Sequence, residues 1–339
     1  MGEVKVLGID LSKSVYVLHG VDGLGRVVLQ KRLSRKQFGI FMAQLPGCLV
    51  GIEACGSAHY WARTLLGFGH DVRPISPQFV KPYVKTNKTD QADAEAICEA
   101  VSRPNMRFVS VKSVEQQDVL SLHRVRRRVV RARTALANEI RGLLAEYGIV
   151  IAKGLAPLRR DVAALIGDID DARLTPMGRN LFTQLYDELV QWDAKVNDYN
   201  EAIERIYSQC SIAQRLTQIP GIGPLTATAL VASVGDARVF KNGRQLAAFL
   251  GLVPKEHSSG GKQKLLGISK RGDAYLRTLL IHGGRAVVRC LGNKQDRLSC
   301  WTRQLVDRRG KNIAAVAVAN KNARTAWALM LHSENYCIQ

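Results

Sequence analysis

The sequence predicts an α/β amino-terminal domain followed by all-α segments, and three observations carry that reading. Short β-branched, Gly-bounded apolar runs alternate with helical patterns through residues 1–113. Apolar residues at helical spacing then dominate residues 114–210. From Ser211 to the end, residues 211–339, helical patterns punctuated by Gly and Pro turns read as a separate helical domain.

The first strand is Val4 to Ile9, ended by Asp10. A second covers Ser14 to His19 and a third Gly25 to Leu33. A helix follows, then a strand from Cys48 to Ile52 ended by Glu53. A helix from Ser57 to Phe68 and a strand from Asp71 to Ile75 come next, and Thr89-Asp90 opens another helix. This β-β-β-α-β-α-β-α order is the ribonuclease-H-like order, a mixed sheet whose first and fourth strands are neighbours at the centre. Asp10 and Glu53 are therefore expected to meet at the carboxyl edge of the sheet, where α/β folds place their sites. Asp90 and Asp93, three residues apart, share one face of their helix. An acid after a strand is commonly a turn or cap residue, and an acid pair at a helix start commonly just complements the dipole. The set of four points further. Four gathered carboxylates repel unless a divalent cation lies among them, and oxygen-only ligands suit Mg²⁺ or Mn²⁺. Asp10, Glu53, Asp90 and Asp93 are thus candidate metal ligands and catalytic residues. Paired ions of this kind, about 4 Å apart, stabilise both oxygens of a phosphodiester displacement.

The 339 residues carry a net charge of +20, a footprint of polyanion binding. Seven Cys are scattered with no C-x-x-C pair, which argues against a disulfide framework and against a zinc cluster. No apolar stretch is long enough to span a bilayer, and the amino terminus leads straight into a strand, so a cytoplasmic protein is expected.

Charge concentrates in His123–Arg133, where six arginines occupy eleven residues: Arg124, Arg126, Arg127, Arg128, Arg131 and Arg133. Leu122, Val125, Val129, Leu136, Ile140, Leu143 and Tyr147 keep a helical apolar stripe through it. One helix from Val114 to Tyr147 is expected, about 50 Å long at the α-helical rise. Its guanidinium face suits a nucleic-acid backbone. Leu185, Leu189, Trp192, Val196, Tyr199, Ile203 and Ile206 then form a heptad seam on a second long helix. Gly154 to Pro176 reads as the connector between the two. The seam could close within the chain or between chains.

In the last third, Gln218 to Thr226 contains Pro220-Gly221-Ile222-Gly223-Pro224 and resembles the hairpin of a helix-hairpin-helix element. Gly221 and Gly223 would let backbone N–H groups approach a phosphate. His257-Ser258-Ser259-Gly260-Gly261-Lys262-Gln263-Lys264 reads as a flexible, polar, basic loop.

Gly8-Ile9-Asp10, Ile52-Glu53-Ala54-Cys55-Gly56 and Asn87-Lys88-Thr89-Asp90-Gln91-Ala92-Asp93-Ala94 resemble the three acidic blocks of bacterial insertion-sequence DEDD transposases of the one-hundred-ten group, most similar to its eleven-eleven branch. The Pro-Gly-Ile-Gly block, Phe249 to Pro254, the Ser-Ser-Gly-Gly block and Gly267 to Gly272 extend the resemblance over essentially the whole chain. The resemblance implies a RuvC-like catalytic domain, a dimerising coiled coil, and an RNA-guided, serine-type DNA recombinase acting on donor and target DNA. It implies a guide RNA encoded by the element and a homodimer or homotetramer. Within the serine loop it implies a nucleophile that becomes joined to a DNA 5′ phosphate; aligning the Ser-Gly step puts this at Ser259, with Ser258 adjacent and chemically equivalent. Lys262, Lys264, Lys270 and Arg271 would then hold the phosphate. Two other readings compete: a RuvC-like, Holliday-junction-type endonuclease using metal-activated water, and a non-catalytic nucleic-acid-binding relative.

Overall fold

The computed structural model describes residues 3–85, 87, 89–332 and 336. Lys88, within the third acidic block, and Cys337 lie outside the described residues. The chain divides into two compact units, Met1–Gln116 and Gln117–Gln339.

In the first unit β1 (Val6–Leu11), β2 (Val15–Val21) and β3 (Val27–Ser34) lead into α1 (Arg35–Gln44). Ser34 and Gln37 cap that helix reciprocally, satisfying two otherwise orphaned backbone donors. Then come β4 (Leu49–Glu53), α2 (Ala58–Gly67), β5 (Asp71–Ile75), the short α3 (Pro77–Val80) and α4 (Asp90–Val101). The sheet order is β3-β2-β1-β4-β5. β2 runs antiparallel to both β1 and β3, while β4 runs parallel to β1 and β5. This five-stranded mixed sheet is compatible with the ribonuclease-H-like order.

Side chains alternate along a strand, so the two faces of β1 carry different jobs. Leu7, Ile9 and Leu11 join Val50 and Ile52 in a core that includes Phe38 of α1 and Trp61 and Leu65 of α2. Tyr16, Phe38 and Trp61 meet edge to face there, and Trp61 Nε1 donates to the Tyr16 hydroxyl at 2.9 Å. The other face carries Gly8 and Gly51, and α4 lies directly on it. A Cβ at Gly8 would stand 2.2 Å from the Ala94 carbonyl oxygen, and one at Gly51 would stand 2.8 Å from Val101 Cβ.

α5 (Val114–Glu146), which belongs to the second unit from Gln117 onward, α6 (Leu155–Gly167) and α7 (Pro176–Gln209) pack through Leu136, Ile140, Leu144, Leu158, Val162, Phe182 and Leu189. The expected connector Gly154–Pro176 thus contains a helix. Leu158, Val162 and Leu165 sit at helical spacing and are buried, a periodicity masked in sequence by the flanking Gly and Pro. On the α7 seam Leu189, Val196 and Ile203 are at most 3% exposed, while Leu185, Trp192, Tyr199 and Ile206 are partly exposed. Arg126 donates to Asn200 and Arg133 to Asp193, so α5 and α7 lie antiparallel. Along the α5 stripe Val129, Leu136 and Ile140 are buried, whereas Val125, Leu143 and Tyr147 are exposed.

The remainder comprises α8 (Ser211–Leu216), α9 (Pro224–Val234), α10 (Gly243–Phe249), a two-stranded sheet of β6 (Pro254–Glu256) and β7 (Leu265–Ile268), α11 (Ala274–Arg289), α12 (Arg297–Arg309) and α13 (Lys311–His332). The loop expected to be flexible is therefore the connection of a β-hairpin. Gly260 and Gly261 both have positive φ, 55° and 74°, as a type I′ turn demands, and Lys262 N–H donates to the Ser259 carbonyl at 3.0 Å. His123 of α5 hydrogen-bonds to Thr228 of α9 and Tyr275 of α11.

Gly8→Ala should lower the stability of the first unit by about 3 kcal/mol, since backbone rather than a flexible side chain stands in the way. The denaturant midpoint of the first unit's transition in the full chain measures this; a midpoint within error of wild type would show that α4 can retreat freely.

Candidate active site

Asp10 and Glu53 stand at the carboxyl ends of neighbouring parallel strands. The β1–β4 register ends at Ile9↔Ile52, so the next step sets Asp10 opposite Glu53. By alternation both lie on the face of Gly8 and Gly51, the face covered by α4. Both are partly buried.

α4 runs against β1 with its amino terminus at this same edge. Cys98 Sγ reaches the Val6 carbonyl, Ala94 overlies Gly8, and Gln91 meets His19, the partner of Gly8 across β2. Thr89 caps the helix by accepting from Ala92 N–H. Asp90 and Asp93 occupy its first turn, on the stripe that continues through Ala94, Ile97 and Val101 into the core. The fold thus brings all four acids to one edge and one face. They do not form a closed ligand shell: among the described residues no three His, Cys, Asp or Glu side chains come together to hold a metal ion. Asp90 leans toward β3, 3.8 Å from Arg32. Glu95 pairs with Lys85, 4.0 Å away. The donor chemistry nonetheless fits a hard divalent cation, since the Asp10 and Glu53 carboxylates stand on adjacent strands.

The second cluster is the β6–β7 hairpin. Ser258 and Ser259 are exposed, as are Lys262, Lys264, Lys270 and Arg271. The base of the hairpin is pinned: Ser269 N–H donates to the Val253 carbonyl at 2.8 Å, and Arg277 Nη1 donates to the Leu250 and Arg271 carbonyls, both at 3.1 Å. Sequence reasoning passed over Glu256, whose Oε1 accepts from Ser258 Oγ at 2.6 Å. The alternating Glu-x-Ser at the end of a strand was the available signal.

The six candidate arginines of α5 separate into two groups. Arg126 is bonded to Asn200, Arg133 shares Asp193 with Arg159, and the Arg127 guanidinium stacks 5.3 Å from the centre of the Tyr275 ring. These three hold the helices together. Arg124, Arg128 and Arg131 are exposed at i, i+4 and i+7, a single stripe on α5. Gly221 also serves packing: a Cβ there would stand 2.6 Å from the Gly283 carbonyl oxygen on α11. Gly223, the residue before α9, is exposed with open space where a Cβ would go.

His123 is 1% exposed, and its tautomer follows from its partners. The Thr228 hydroxyl spends its proton on the Pro224 carbonyl at 2.8 Å, so it accepts from His123 Nε2–H at 3.1 Å. Nδ1 is then left to accept from the Tyr275 hydroxyl at 3.0 Å. Burial, and then the nearby Arg126 charge, pull the His123 pKa down to about 4.

Likeness to known proteins identifies the class as transposase. A DEDD transposase family model matches residues 7–149, and one described as "Transposase IS116/IS110/IS902 family" matches residues 213–299. The chain is 54% identical to the "Probable family 20 transposase" of Pseudomonas aeruginosa, over 97% of this chain and 98% of that protein. It is 49% identical to the transposase for insertion sequence element IS1111A of Coxiella burnetii, over 99% of this chain and 92% of that protein. It is 40% identical to the transposase for insertion sequence element IS1328 of Yersinia enterocolitica, over 97% of each. The chain belongs to the IS116/IS110/IS902 family of transposases, enzymes that cut and rejoin DNA. Among the described residues no helix is long and apolar enough to cross a membrane.

Replacing Arg124, Arg128 and Arg131 together by Gln should reduce the salt slope of nucleic-acid binding by about 2–3, with little change in melting temperature. Arg133→Gln should do the reverse, costing about 2 kcal/mol of stability because it leaves the Asp193 carboxylate short of a partner. Salt-titrated binding and thermal melts of both variants check the division. The depressed His123 pKa has a second consequence. The unfolded chain binds this proton near pH 6.5 and the folded chain only near 4. The stability is therefore full above pH 6.5 and falls by about 3 kcal/mol as pH drops to 4. His123→Gln should flatten denaturation midpoints across that window.

Proposed function

We propose that this transposase moves an insertion sequence by direct phosphoryl transfer between DNA strands, with Asp10, Glu53, Asp90 and Asp93 holding Mg²⁺ or Mn²⁺ and a serine of the Ser258–Ser259 pair as the nucleophile. The observation that carries the reading is the register of β1 and β4. It sets Asp10 beside Glu53 on the face and at the edge where α4 begins with Asp90 and Asp93. A divalent cation bound by these carboxylates would offset the charge that builds on the scissile phosphate.

The chain's own groups account for the remaining steps. A serine hydroxyl attacks phosphorus, the P–O3′ bond breaks, and a 3′ hydroxyl is released. The DNA 5′ phosphate stays on the serine as an ester. Attack by a 3′ hydroxyl of another strand reverses the chemistry and joins new partners, so the ester conserves the energy of the broken bond. Lys262, Lys264, Lys270 and Arg271, exposed on and beside the hairpin, supply positive charge for phosphate oxygens. Arg124, Arg128 and Arg131 offer a track for a nucleic-acid backbone, and Gly223 leaves the start of α9 open to close approach. A guide RNA encoded by the element would choose donor and target by base pairing, leaving the protein to grip backbone. Relatives named as transposases for insertion sequence elements favour this reading over a junction endonuclease.

Asp10→Asn should cut strand cleavage of element-end DNA by about 10³-fold, equivalent to about 4 kcal/mol of lost charge stabilisation. Salt-dependent DNA binding should stay close to wild type. Cleavage at the wild-type rate in this variant, with Mg²⁺ or Mn²⁺ supplied, would remove the acidic edge from the chemistry.

A further inference from the structure

The face of the first unit away from α4 carries cations with aromatic rings set among them. Residues 23–70 hold six Lys and Arg against one acid, Glu53, which by alternation lies on the α4 face. Two of the six cations are matched: Arg26 pairs with Asp22 at 2.9 Å, and Arg32 stands 3.8 Å from Asp90. Lys31, Arg35 and Lys36 are exposed and form no ion pair with any described residue. Register places them. Asp10 pairs with Val17 and Val17 with Arg32, so Arg32 shares the face of the acids. Lys31 then falls on the other face, its ammonium 4.5 Å from the centre of the Phe41 ring of α1. Arg35 opens α1, and its guanidinium lies 5.7 Å from the centre of the Tyr60 ring and 5.8 Å from that of Trp61, both on α2. Trp61 is buried and meets Tyr60 edge to face at 5.1 Å, so it braces a ring that is itself 48% exposed. A braced, half-exposed ring beside unmatched cations offers a stacking surface and a counter-charge for phosphate together. Both helices start at the carboxyl edge of the sheet. Ser34, the cap of α1, pairs with Val15 beside the Leu11–Tyr16 pair that ends β1, and α2 begins at Ala58, shortly after Glu53.

Building on the reading of the acidic edge above, we propose that the β3–α1–α2 face binds single-stranded DNA, with an unpaired base stacked on Tyr60 beside Arg35 and backbone phosphates against Lys31, Arg35 and Lys36. A ring standing on a helix surface can stack only on a base whose π-face is free, which a duplex does not offer along its length. The cations supply the complementary charge, and no acid on this face opposes them. The class of the protein supplies the occupant. Exchange of strands between DNA molecules requires paired bases to separate near the cut, and the separated strand needs a surface to lie on. This face starts at the edge to which the acids are assigned, yet lies across the sheet from α4. DNA at the acids and an unpaired strand on Tyr60 therefore do not compete for the same surface.

The test uses the full chain without divalent metal and three fluorescein-labelled probes of one sequence, about 20 nucleotides long: single-stranded DNA, the same DNA as duplex, and single-stranded RNA. Tyr60→Ala should weaken single-stranded DNA binding about tenfold, the loss of about one stacked base, and change duplex binding less than about twofold. Tyr60→Phe should bind as wild type, because stacking uses the ring and not the hydroxyl. Replacing Lys31, Arg35 and Lys36 together by Gln should reduce the salt slope of single-strand binding by about 2. With iodouracil placed along the DNA strand, ultraviolet crosslinks should map to Tyr60. Wild-type single-strand affinity in Tyr60→Ala, an equal loss on duplex, crosslinks confined to the second unit, or a loss seen only with RNA would each overturn the proposal. Binding is read without cleavage, so the two readings fail separately. Wild-type cleavage by Asp10→Asn would remove the acidic edge from the chemistry and leave the single-strand site standing.

Discussion

The carboxyl edge of the sheet depends on one close contact, the seating of α4 on β1 and β4. Gly8 and Gly51 stand opposite each other in the parallel register, and neither could carry a side chain without striking the helix. That seating delivers the amino terminus of α4, with Asp90 and Asp93, to the edge where Asp10 and Glu53 emerge. A helix held one side chain further out would keep its sequence and still miss the strand acids. The glycines two residues before each strand acid are thus the spatial counterpart of the acids themselves.

Much of this was legible in the sequence because it rests on local periodicity. The strand and helix order of the first unit, the long α5 and the long α7 follow from runs of period 2 and 3.6 that no tertiary contact overrides. What escaped notice depends on pairing across distance. The β6–β7 hairpin buries almost nothing, so it leaves no apolar alternation, and only the Gly260-Gly261 pair marks its turn. α6 was hidden by the Gly and Pro around it. At the site, sequence placed the acids on the right elements. It could not tell that Arg32 draws Asp90 aside, or that Ser258 has a carboxylate within reach.

The arginine-rich segment shows how composition overstates a binding surface. One helix cannot present six guanidiniums from eleven residues in a single direction. Geometry sends Arg126, Arg127 and Arg133 inward to Asn200, Tyr275 and Asp193, and Arg124, Arg128 and Arg131 outward. Of the inward group, Arg126 lies near His123, whose neutral imidazole joins three helices. Positive charge around that ring helps keep it unprotonated. Some of the basic character of the segment therefore goes to stabilising the folded body and not to contacting polyanions.

The hairpin base offers a different kind of consequence. Its two ends are tied by Arg277 and the Val253–Ser269 bond, while Pro254 to Gly267 are solvent-exposed. Folding of the surrounding helices is then nearly indifferent to what the tip contains. Insertions, deletions or a swapped tip would alter the arm's span and its chemistry while the globular body assembled as before. Divergence among such mobile elements could proceed by exchanging this appendage, much as a tool holder accepts new bits without being recast.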